Sequence, residues 1–230
     1  MFFVYFLPVT VVPILICAGV MWWLRGIPNT WNVIWRGTLI VPITYFIVSE
    51  LPFFNSSYYE MMDGYVVALC KAFLVAAIPE EMCKLATLYY VVWRVYKWKP
   101  NKFSDALQCS MIIGTAFSVT ENIVFSGMGL MRILAFFGHF SYAVIMGYCF
   151  SLLHFSNVQK HRWLVYVAMI GLPILCHGIW DSIGYSVLTP FPEEFSDLVF
   201  LVGIGLPIFL MIAVYKLLRN AKRFDSVCIQ

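Results

Sequence analysis

Residues 65–93 read YVVALCKAFLVAAIPEEMCKLATLYYVVW, an apolar run broken by Lys71, Glu80, Glu81 and Lys84. The run is far longer than a β-strand and long enough to cross a bilayer as a helix, which takes about twenty mostly apolar residues. Backbone groups in lipid must be satisfied within the segment, so a helix is the only assignment open to it. The apolar–polar alternation of barrel strands is missing.

Six further apolar runs lie at about 3–24, 38–54, 105–128, 133–154, 163–188 and 196–217. The second is the weakest, because Pro42, Glu50 and Pro52 interrupt it. The pattern predicts an all-α polytopic transmembrane bundle of about seven spans. It reads as a single domain over 1–230, with its polar core at about 65–188. Composition agrees: 62% of residues are hydrophobic and 12% are charged, against about a quarter charged in soluble domains. A water-facing surface cannot be built from so few charges. The first run has neither a basic lead nor a small-residue cleavage site, and it exceeds a signal-peptide core in length, so a retained span is expected. Cys17, Cys70, Cys83, Cys109, Cys149, Cys176 and Cys228 show no paired spacing and read as small buried hydrophobes. No nucleic-acid partner is expected; the lipid bilayer is the surrounding medium.

Basic residues orient the bundle. Arg25 and Arg36 fall between the first two runs, and Arg94, Lys97, Lys99 and Lys102 between the third and fourth. Lys160 and Arg162 follow the fifth run, and Lys216, Arg219, Lys222 and Arg223 end the chain. The opposite side has only Arg132, with Glu60, Asp63, Glu193 and Glu194. The positive-inside rule then puts the N-terminus outside and the C-terminus in the cytoplasm. Trp22, Trp23, Trp31, Trp35, Trp93, Trp98 and Trp163 gather at span ends, as an interfacial belt does.

Against this background the ionisable residues inside the runs stand out: Glu80, Glu81 and Lys84, then Glu121, His139, His177 and Asp181. An Asp or Lys near a helix centre costs roughly 2.5–3.5 kcal/mol on insertion scales, so such groups must face one another or a wet cavity. Their spacing favours convergence. Glu80 and Lys84 share a helix face with Glu81 on the adjoining one, and His177 and Asp181 share another. Ser110, Gly114 and Ser118 form a small-residue stripe leading to Glu121, and His139, Ala143 and Gly147 form a second; such stripes let helices approach closely. At about 1.5 Å per residue, the cluster spans the middle and outer half of the membrane.

Hydrolysis of a peptide bond needs an activated water, a stabilised oxyanion and a protonated leaving amine. Paired carboxylates supply a base, and histidines share proton transfer or donate to the oxyanion. Asp181 is placed to hold His177 in one tautomer, and Lys84 to balance charge. Whether Glu80 or Glu81 is the base is open at this level. No Ser or Cys sits in a nucleophile motif. Glu121, His139, His177 and Asp181 would form a zinc shell if their helices converge, but no HExxH is present, so metal dependence also stays open. Phe117 reads as packing, and Lys71 as an interfacial residue.

Glu80-Glu81-Met82-Cys83-Lys84, Phe117-Ser118-Val119-Thr120-Glu121 and His177-Gly178-Ile179-Trp180-Asp181 resemble EExxK, FxxxE and HxxxD, the signature motifs of the PrsW family of intramembrane proteases, in the right order. TENIVF from Thr120 and HFSYAVIMGY from His139 resemble it too. The likeness covers about 65–185. It implies a glutamic-type or metallo-type protease of the cell membrane, distantly related to the CAAX prenyl endopeptidases. Lys84 and Glu121 place the chain on the PrsW side of that divide. The implied catalytic residues are Glu80, Glu81, Glu121, His139, His177 and Asp181, with Lys84 supporting and zinc as the expected ion if a metal is used. The implied partner is a single-span membrane protein of the anti-sigma-factor kind, cut at site 1 on the extracytoplasmic side. The acidic loop often found after the family's first span is not evident.

Two other classes use similar features. A proton-coupled transporter would employ the same buried groups as a relay, but transporters commonly show inverted repeats and none is visible. A non-enzymatic seven-span receptor rests on span count alone, a poor warrant for function.

Overall fold

Apolar runs of this length satisfy their backbone by coiling, and all seven become helices. The computed structural model describes residues 2–24, 27, 29–50, 64–94, 97, 103–124, 131–156, 161–186 and 196–227. Among them lie α1 (Phe2–Trp23), α2 (Thr30–Ser49), α3, α4 (Phe103–Val124), α5 (Met131–Phe155), α6 (Arg162–Ser186) and α7 (Ser196–Val227), with no strand among the described residues. The loop residues Arg25, Glu60, Asp63, Lys99, Lys102, Lys160, Glu193 and Glu194 fall outside the described residues.

Helix α3 is continuous but built in three parts: α-helical Gly64–Cys70, π-helical Lys71–Ala77 and α-helical Ile78–Arg94. Pro79 explains the middle part. It has no N–H to give to the carbonyl four residues back, and its ring crowds that carbonyl. The Ile78 N–H instead bonds the Phe73 carbonyl, five residues back. Such π segments are rare and favour functional sites. This one ends where Glu80 and Glu81 begin.

Helix α4 is the centre of the bundle. Every residue from Phe103 to Ser118 is buried. On one side Ile112 and Ile113 share a core with Val33 and Ile40 of α2 and Leu88 of α3. On the other, Leu107 and Met111 pack with Phe136 and Phe140 of α5 and Val214 of α7. Asp225 near the end of α7 accepts bonds from the Ser104 backbone N–H, at 3.0 Å, and from the Ser104 hydroxyl. That carboxylate satisfies two donors at the start of α4, where a helix has unpaired N–H groups.

The outward faces are apolar. Ile43 and Phe46 of α2, Val167 and Leu175 of α6, and Phe209 and Ile212 of α7 are exposed, a surface suited to lipid and not to water. Four stretches are long and apolar enough to cross a membrane: Thr30–Ser49, Arg132–Phe155, Arg162–Gly184 and Leu201–Asp225. The chain is a multi-pass membrane protein.

Three boundaries differ from the sequence reading. Helix α2 begins at Thr30, not near 38, because Trp31, Trp35 and Arg36 continue it through the interface. Arg36 is therefore helical; it donates to the Asn32 carbonyl at 2.6 Å and lies over the Trp35 ring at 4.3 Å. Lys216, Arg219, Lys222 and Arg223 belong to α7 and not to a tail. Lys222 lies over the Trp23 ring at 4.4 Å. Arg132, read as a loop residue, is the second residue of α5.

Candidate active site

Four helices deliver the ionisable residues to one place: α3 brings Glu80, Glu81 and Lys84, α4 Glu121, α5 His139, and α6 His177 and Asp181. The small-residue stripes make the approach possible. A Cβ on Gly114 would lie 2.5 Å from the Ala143 Cβ, and one on Gly147 would lie 2.6 Å from the Ser110 Cβ. The Ser110 hydroxyl donates to the Ala143 carbonyl at 2.7 Å across the same seam.

Glu81 is sealed, with 1% of its side chain exposed. Its Oε1 accepts from Lys84 Nζ at 2.7 Å and from His177 Nδ1–H at 2.9 Å. Glu80 is 16% exposed, and its Oε2 lies 3.8 Å from both Lys84 Nζ and His177 Nε2. Lys84 thus sits closer to Glu81, three residues away, than to Glu80, the residue that shares its helix face. His177 and His139, arriving from other helices, decide between the two. On the opposite side of His177, Nε2 lies 3.2 Å from Asp181 Oδ2.

His139 is held from both edges. Its Nε2–H donates to Glu121 Oε2 at 2.8 Å, and Lys84 Nζ approaches Nδ1 at 3.0 Å. The two imidazole rings stand perpendicular, with centroids 4.9 Å apart.

The residues fit a metal. Glu80, His139 and His177 each offer one ligand atom within 4.8 Å of the others. One carboxylate with two imidazoles is a common catalytic-zinc donor set. Glu80 Oε2 is also buried without a hydrogen-bond partner. This trio differs from the set expected from sequence (Glu121, His139, His177 and Asp181). Both Glu121 oxygens are engaged, Oε1 by Arg132 Nη1 at 3.0 Å and Oε2 by His139. Asp181 reaches His177 but lies outside the trio.

Three residues escaped the sequence reading. Arg132, two turns before His139 on the same helix, pairs with Glu121. Tyr142, three residues after His139, stacks on His177 with centroids 5.3 Å apart. Phe117 does more than pack: Lys84 Nζ lies 3.9 Å above its ring, a cation–π contact. Helical spacing from His139 is the signal for the first two.

The protein-family model described as PrsW family intramembrane metalloprotease matches residues 27–214. The chain belongs to the PrsW family. The match extends beyond the motif-bearing part and takes in α2 and most of α7. Protease PrsW of Clostridioides difficile (strain 630) is 26% identical over 136 residues, 54% of this chain and 56% of its own length. Protease PrsW of Halalkalibacterium halodurans is 28% identical over 121 residues, 50% of this chain and 54% of its own. The chain thus spans about half the length of these PrsW relatives. No solved structure matches it.

Proposed function

We propose that the chain is an intramembrane endopeptidase that hydrolyses a peptide bond of a membrane-anchored protein with the aid of a metal ion. The observation that carries this reading is the meeting of Glu80, His139 and His177, from three helices, within 4.8 Å. A protease of an intramembrane metalloprotease family needs such a donor set, and a structural ion pair does not.

Glu80, His139 and His177 hold the ion. Bound there, zinc supplies Lewis acidity toward water and the scissile carbonyl. Glu81 orients His177 through Nδ1–H, as carboxylates behind metal-binding histidines do, and Glu121 does the same for His139. Lys84 balances the paired carboxylates. Asp181, with 20% of its side chain exposed, is the most exposed carboxylate outside the trio, ahead of Glu121 at 16%, whose two oxygens are already engaged. It accepts the proton of the attacking water and passes it to the leaving amine. The substrate is a single-span protein of the anti-sigma-factor kind, cut at site 1 on the outer side of the cell membrane.

The test is cleavage of a single-span substrate in proteoliposomes, with metal content measured on the same preparation. Glu80→Gln, His139→Ala and His177→Ala are each expected to slow cleavage by at least about a hundredfold. Chelation should abolish activity and zinc restore it. Full activity in the three variants would refute the reading.

A further inference from the structure

The geometry points to Arg132 as a positioning residue that acts on His139 through Glu121. This assignment rests on the reading of His139 as a ligand, and it extends that reading to a residue outside the three motifs.

Arg132 and His139 lie seven residues apart on α5, two turns along one face. Glu121, near the end of α4, bridges them. Its Oε1 accepts from Arg132 Nη1 at 3.0 Å and its Oε2 from His139 Nε2–H at 2.8 Å. Arg132 is 8% exposed and His139 4%, and the Glu121 side chain that joins them is 16% exposed, so both bonds are mostly shielded. A second tie lies alongside, the buried Asn122 amide donating to the Arg132 carbonyl at 3.5 Å.

A guanidinium is always charged and only donates. With one oxygen committed to it, the Glu121 carboxylate offers His139 an acceptor and no proton. The imidazole therefore keeps its hydrogen on Nε2, and the lone pair falls on Nδ1. Nδ1 is the nitrogen that faces Lys84, beside Glu80 and Glu81. Arg132, through Glu121, and Lys84, directly, thereby favour the same tautomer from opposite edges of the ring. Without Arg132, Glu121 loses its fixed rotamer and its counter-charge, and of the two contacts that favour this tautomer His139 keeps only the one from Lys84 Nζ, 3.0 Å from Nδ1.

The chain has four histidines, so its ring nitrogens are resolvable by 15N NMR of histidine-labelled protein in detergent, with His139→Gln assigning the signals. The parent is expected to show His139 protonated at Nε2 alone. In Arg132→Met a measurable share of the Nδ1-protonated tautomer should appear against the remaining hold of Lys84, while Arg132→Lys, which keeps a cation against Glu121, should retain the parental signature. A parental signature in Arg132→Met overturns the assignment. So does its loss in both variants with equal loss of thermal stability, since that marks a merely structural residue. In the cleavage assay kcat should fall about ten- to a hundredfold in Arg132→Met, the usual effect of losing such a partner, with KM little changed. Adding Glu121→Gln should lower it little further, because the two act in series. Multiplying losses would refute the chain. If the parent neither cleaves nor holds metal, the protease reading fails by itself, and the tautomer measurement still decides the role of Arg132.

Discussion

Lys84 is a buried ammonium whose place in the fold depends on Glu81 staying beside it, 2.7 Å away. Removing one partner of a buried pair leaves an uncompensated charge and costs about 3–5 kcal/mol, whereas replacing both is often nearly neutral. Glu81→Ala is therefore expected to destabilise the protein by an amount in that range. Adding Lys84→Met should recover most of it without restoring activity. A double variant that melts no higher than Glu81→Ala alone would refute the coupling; thermal unfolding in detergent reads it. The sequence made the participants legible, since a charge inside an apolar run is too costly to persist without a partner or a wet cavity. Which residues pair was not legible. Spacing makes Glu80 and Glu81 both neighbours of Lys84, and the choice belongs to His139 and His177, which lie 55 and 96 residues away from their partners.

At the scale of the helix pair, α4 and α5 set the distance between Glu121 and His139. The small residues that permit this were readable as every-fourth-position stripes, and Gly114 is their tightest point. A methyl group there would lie 2.5 Å from the Ala143 Cβ and 3.0 Å from the His139 carbonyl oxygen. Neither is a flexible side-chain end, so the helices must part. Gly114→Ala is expected to cost about 1–3 kcal/mol, as overpacking does, and to lower kcat by stretching the bond between Glu121 and His139. Gly114→Ala combined with Ala143→Gly should recover part of both, because the second change removes the closer of the two contacts and leaves the 3.0 Å approach to the His139 carbonyl oxygen. Unfolding and cleavage measured on the two variants decide it, and failure of the second change to rescue either quantity counts against this account. The start of α5 was harder to read. Hydropathy marks where a helix enters lipid, not where coiling begins, so Arg132 passed for a loop residue.

Across the described residues, α2, α5, α6 and α7 contain stretches long and apolar enough to cross a membrane, while α3 and α4, which supply Glu80, Glu81, Lys84 and Glu121, are more polar. A helix surrounded by other helices can hold Ser104, Asp105, Gln108 and Ser118 in its interior, because protein and not lipid receives them. The polar core was legible only as the concentration of charge in the middle runs. Orientation is carried by loop composition, and it decides from which side water and substrate reach the site. The basic loops and the end of α7 are expected in the cytoplasm, with Glu193 and Glu194 outside. In a variant lacking its seven native cysteines, a thiol in place of Glu193 should react with an impermeant maleimide on intact spheroplasts, and one in place of Lys99 only after permeabilisation. The reverse pattern would invert the bundle. The partly exposed carboxylates of the site, Glu80, Glu121 and Asp181, would then be fed from the cytoplasm, and an extracytoplasmic cut would be impossible for this site.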